Sequence, residues 1–217
     1  MESRKPVSLK EYLFVLPLAD SLAEMKQLEW IFIAVRWLWV PTIFVLTWLH
    51  EPVSNIAMWV IGAVLGTINI LACVFNYKIT DLHRQRILGI VLLVIDTLAA
   101  WAVIFLFAYD FYTAAYASFV YVIIETAIRF GLIGSISMGV IFVIGLFAAY
   151  CFREIEYGVR FSNSGFTYWT ALMLLVAISI GIVVNEWKRQ RKSSERHLRE
   201  SILLSFIPLL SARTKTG

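Results

Sequence analysis

Charge is scarce in this chain: 16% of its 217 residues are Asp, Glu, Lys or Arg, against 60% hydrophobic. A soluble domain of this length could not keep that much apolar area from water, because its surface must be largely polar to stay dispersed. Cysteine is almost absent. Cys73 and Cys151 cannot build a disulfide framework or a zinc site, and no function is attached to either. The three histidines, His50, His83 and His197, all fall outside the hydrophobic runs. An intramembrane hydrolase needs a nucleophile with a base, or metal ligands, facing a wet cavity. No HExxH, GxSxG, GxxxxGK[ST] or glycine-rich dinucleotide motif occurs either. The expectation is a chain with no catalytic residues, no metal and no cofactor. A secretory signal is also lacking, since Met1–Lys26 is charged throughout and its patch "YLFVLPLA" is short and broken by Pro17.

What the chain has instead is apolar runs of eighteen residues or more, the mark of transmembrane helices. They predict an all-α polytopic membrane protein with six spans near Leu28–Leu49, Val53–Phe75, Ile87–Phe107, Phe111–Ile128, Phe130–Phe152 and Thr167–Trp187. Residues 1–27 form an amphipathic N-terminal segment, 28–187 the membrane domain, and 188–217 a C-terminal signalling helix. Sixteen of the 19 basic residues fall on one face of that topology, so the positive-inside rule puts both termini in the cytoplasm. The basic charge then answers to topology and anionic headgroups and is no nucleic-acid footprint. Outer loops are too short for an external ligand-binding domain.

A few polar residues sit inside the apolar runs, where each ionised group costs about 2.5–3.5 kcal/mol on insertion scales. Glu125 and Arg129 share a helix face at i,i+4 in the favourable order. Arg129 is expected to snorkel to headgroups at the cytoplasmic turn between the fourth and fifth spans. The pair either makes that turn tolerable or acts as a polar hinge. Asp96 lies near the middle of the third span with no basic neighbour on its own helix. It must face the bundle interior, with Asn69 and Arg36 as candidate partners, either as interhelical glue or as a proton- or ligand-responsive group. Small residues mark close helix approach at Gly62 and Gly66 and along Gly131, Gly134, Ser135 and Gly139. Trp30, Trp37, Trp48, Trp59, Trp169 and Trp187 read as interfacial anchors. Beyond "KRQRK", Leu198, Ile202, Ser205/Phe206 and Leu209 form one apolar seam, with Glu195 and Arg199 paired and Pro208 limiting the helix. A second copy or a downstream domain is expected to cover that seam.

The order of these features resembles the multi-span N-terminal membrane region of bacterial sensor proteins, chiefly histidine kinases and diguanylate cyclases with a GAF domain next. The resemblance is carried by "VRWLW" in the first span and by "NYKITDLHRQRILGIVLLVIDTLAAW" with its acid, Asp96. It continues through "YVIIETAIRFGLIGSI" with Glu125, Arg129, Gly131 and Gly134, and "EWKRQRKSSERHLRES" after the last span. It covers roughly Leu28 to Ser201. It implies a signal-input module in the bacterial plasma membrane, working as a homodimer and relaying a stimulus to a cytoplasmic output domain, fused or separate. A small hydrophobic ligand, protons, bilayer tension or a membrane partner could supply that stimulus. No phospho-acceptor box, ATP-binding motif or cyclase signature is present, so the output is expected outside this chain. Readings from other classes are a small proton- or cation-coupled transporter or channel, with Asp96 and Glu125 on its path, and a scaffold that only recruits a partner.

Overall fold

The computed structural model describes residues 21–49, 54–107 and 114–213, with the backbone alone from 195 onward. It is all-helical over those residues. Helix α1 spans Leu22–Leu49, α2 Asn55–Lys78 and α3 Leu82–Leu106; a short 3-10 turn, Ala114–Ala117, leads into α4, Ser118–Tyr157, and α5 runs Asn163–Arg213. Each of the five is long and apolar enough to cross a membrane.

Local sequence sets the starts of these helices. Ser21 and Glu24 form a reciprocal capping box, the Glu24 N–H donating to Ser21 Oγ at 3.2 Å and the Ser21 N–H to the Glu24 carboxylate at 3.4 Å. Ser54, Asp81 and Ser162 accept N–H groups from the first turns of α2, α3 and α5. Gly158, at φ 63°, ends α4 in a left-handed conformation.

The 40-residue α4 is not one rod. Gly131 has φ 72° and ψ −154°, a region open essentially to glycine alone. A continuous helix would hold Phe119 and Phe142 about 35 Å apart. Their ring centroids are 5.1 Å apart, so the element folds back on itself at Gly131. Asn185 of α5 stabilises the break, its Oδ1 accepting the freed N–H of Leu132 at 3.2 Å. A Cβ at position 131 would lie 2.6 Å from that same oxygen. Gly131→Ala should therefore cost about 1–3 kcal/mol, read as a lower midpoint in reversible SDS unfolding.

Several contacts bring one end of the bundle together. Lys26 Nζ donates to the Tyr77 carbonyl at 3.1 Å, Gln85 Nε2 to Asn76 Oδ1 at 2.5 Å, and Arg191 pairs with Glu24 at 2.7 Å. The half remote from that end is an apolar and aromatic core. Trp101 stacks on Phe142 there, in space left by Gly145.

The distribution of polarity is that of a membrane protein. Ile56, Leu38 and Trp48 face outward, Trp48 at 85% exposure, while Glu29, Asn69, Gln85 and Glu125 are fully buried. Water would penalise both placements, and a hydrocarbon surround favours both. The chain is a multi-pass helical membrane protein.

The predicted tail differs in one respect. The backbone stays helical past Pro208 to Arg213, where the proline was expected to limit it. Proline removes one backbone donor and crowds one carbonyl, which a long helix can absorb as a local kink. The seam residues and the Glu195–Arg199 pair fall outside the described side chains, and residues 1–20 outside the described structure.

Candidate functional site

Three helical stripes meet inside the bundle. On α1, Glu29 and Arg36 are two turns apart and share a face, as do Gly89 and Asp96 on α3. On α4, Tyr121, Glu125 and Arg129 follow at successive turns. Side chains on these stripes join into one alternating row of charge: Asp96, Arg36, Glu125, Arg129, Glu29. No member is more than 7% exposed.

Arg36 Nε donates to both oxygens of Asp96, at 2.9 and 2.7 Å, and its Nη2 donates to Glu125 Oε1 at 3.2 Å. Arg129 reaches that same oxygen from Nε at 3.1 Å and Nη2 at 2.7 Å. Its other edge holds Glu29 bidentately, at 2.5 and 3.1 Å. The Arg129 guanidinium also lies 4.7 Å from the centre of the Phe32 ring, a cation–π contact that helps offset its desolvation. Tyr121 closes the inner end, its hydroxyl donating to Asp96 Oδ2 at 3.4 Å. The row descends about 10 Å into the bundle, the rise of two helical turns. Room for its outer end comes from Gly89, where a Cβ would fall on the Arg129 guanidinium and lie 2.5 Å from Glu29 Oε1.

Four of the expected residues, Arg36, Asp96, Glu125 and Arg129, thus form one network. Arg36, not Asn69, is the hydrogen-bond partner of Asp96. Asn69 points to α1 instead, its Nδ2 donating to the Ile33 carbonyl at 3.2 Å. Arg129 does not snorkel: with two carboxylates in reach inside the bundle, ion pairing outweighs a path to headgroups. Glu29 is the residue that sequence reading missed. Its signal was the seven-residue spacing to Arg36, which puts both on one face.

The small residues divide by location. Gly62 lies under the Phe44 ring, whereas nothing approaches within 4 Å of the position a Cβ would take at Gly66. Gly139 faces Ala177 on α5, Ser135 packs against Gly181, and Gly134 lies against Phe130 and Thr126 across the break. The fifth predicted span therefore uses its small residues to seat α5.

Beside the break, Lys188 of α5 is 2% exposed and its Nζ has no hydrogen-bond partner among the described residues. It stands near the carboxyl end of the first half of α4, where a positive charge is favoured by the helix dipole. Asn185 and Lys188 thus tie α5 to the same segment that carries Glu125 and Arg129.

Next to the inner end of the row is a narrow cleft. Leu65, Ile68, Ala99 and Val122 line it, with Asp96 and Tyr121 as polar wall. No protein-family model, curated protein or solved structure matches this chain.

Proposed function

We propose that this protein is a membrane-embedded signal-input module whose buried charge row biases the arrangement of its helices. One observation carries the reading: a single ion network joins α1 and α3 to the broken helix α4, and the break is bonded directly to α5, the helix that runs on to Arg213. A network of alternate pairings is the kind of element that two arrangements can share. A change at Asp96 would thus reach the exit helix through Glu125, Arg129 and the Gly131 break.

In this reading α4 crosses the bilayer twice, which makes six spans with both termini cytoplasmic in a bacterial plasma membrane. The fold-back at Gly131 and the joining of Glu24, Tyr77 and Arg191 at one end favour that topology. The module works as a homodimer and hands its signal to a cytoplasmic output domain such as a histidine kinase or diguanylate cyclase.

The test is a fusion of the full chain to a reporter output. Asp96→Asn should shift basal output about five-fold or more, the low end of ordinary coupling energies. Unchanged output and an unchanged response would remove Asp96 from the mechanism. A second reading, a proton- or cation-coupled carrier, draws on the cleft that reaches Asp96. Flux in proteoliposomes that Asp96→Asn abolishes would favour it.

A further inference from the structure

The charge row does not balance. It holds three carboxylates, Asp96, Glu125 and Glu29, and two guanidiniums, Arg36 and Arg129. With every member ionised it carries one uncompensated negative charge inside the bundle, an arrangement that desolvation strongly opposes. Among the described residues the remaining buried cation, Lys188, makes no ion pair with any of the three and lies across the Gly131 break.

The surplus is localised by geometry. Glu29 takes both of its bonds from Arg129. Glu125 Oε1 accepts three N–H bonds from two guanidiniums. Asp96 is the least supplied, since both of its oxygens share the one Arg36 Nε–H and its only other donor among the described residues is the Tyr121 hydroxyl at 3.4 Å. Asp96 and Glu125 are bonded to the same guanidinium, Asp96 at Arg36 Nε and Glu125 at Nη2. Two buried carboxylates that share one guanidinium are costly to hold charged together. Glu125 Oε2, moreover, is buried and has no donor among the described residues.

We propose that Asp96 binds a proton, making the row electrically neutral, and that release of this proton is the event that rearranges it. A metal cation fits poorly, because Arg36 and Arg129 already bond both oxygens of Asp96 and of Glu29, which leaves Glu125 Oε2 as the open one. The cleft bounded by Leu65, Ile68, Ala99 and Val122 adjoins Asp96. Other titratable groups facing the pair are Arg36 from α1, Tyr121 and Arg129 from α4, and, through Arg129, Glu29. The residues that α2 presents there, Leu65, Ile68 and Asn69, do not titrate. The proton site stands on geometry; its part in signalling rests on the sensory reading above.

Infrared spectroscopy of the full chain in lipid bilayers tests the site. The expected result is a carbonyl band of a protonated carboxylic acid at neutral pH that moves when aspartate carries carbon-13 carboxyls. The band should fade as pH is raised and be missing from Asp96→Asn. Absence of the band at every pH where the helical circular dichroism persists overturns the proposal, as does a band that moves with labelled glutamate alone. Because the label is read in the unmutated protein, the outcome does not depend on the variant folding. Spin-label distances between α4 and α5 measured over the same pH range address the other half. A band that titrates while those distances stay constant supports the proton site and overturns its signalling role.

Discussion

Arg129→Met should destabilise the protein by about 3–5 kcal/mol, the usual cost of removing one partner from a buried ion pair. Glu29 and Glu125 are both fully buried. Glu125 would keep one bond, from Arg36 Nη2 at 3.2 Å, but Glu29 would lose both of its donors at once. Most of the loss therefore belongs to Glu29, and the double variant Glu29→Gln/Arg129→Met should recover a large part of it. Arg129→Lys should fall between, because an ammonium is a point donor and cannot serve Glu125 and Glu29 along two edges. Reversible unfolding in mixed SDS micelles measures all three. A loss below about 1 kcal/mol for Arg129→Met would place the guanidinium in water or headgroups and not in the bundle.

Gly89→Val is expected to cost about 3 kcal/mol, at the upper end for overpacking a filled interior. Even one carbon at position 89 falls on the Arg129 guanidinium and close to Glu29 Oε1. Something must move, and what moves is the outer half of the charge row. The damage should thus exceed the steric cost and include weakened pairing at Arg129, so the infrared signatures of the Arg129 guanidinium should shift as well. Gly66→Ala is the control, since its added carbon meets nothing within 4 Å. It should leave stability within about 0.5 kcal/mol. Equal losses at the two positions would mean that loss of glycine alone explains the effect.

The residues of the site were legible in the sequence where they broke a pattern. Arg36, Asp96, Glu125 and Arg129 stood out as charges inside apolar runs, and i,i+4 spacing paired two of them. Glu29 was not legible in that way, because it lies where a span begins and a charge there has no cost to explain. Asn185 and Lys188 escaped for the same reason at the other end of the chain. Gly89 carried no motif, and its meaning appears only when Arg129 is placed against it. Partner choice was harder still. Arg129 had a sound local outlet in the headgroups, and only α1, distant in sequence, supplies the carboxylate that turns it inward. The break was located to within a few residues by the need to fit two crossings into Phe111–Phe152, and glycine's tolerance of positive φ places it at Gly131.

Under the signal-input role proposed above, the unbroken course of α5 from Asn163 to Arg213 limits what kind of quantity could leave the membrane. At about 1.5 Å per residue the helix is roughly 75 Å long, well over twice the hydrocarbon thickness. Over such a length a tilt is readily lost to bending, since long helices curve. A rotation about the axis survives better, because each turn is locked to the next by its backbone bonds. Leu132 and Ser135 of α4 hold this helix from one side, at Asn185 and Gly181, so a movement at the Gly131 break acts on it off-axis, as a torque. What reaches the far end is then a phase. With successive residues about 100° apart, even a modest twist changes which side chains the far end presents on a given side.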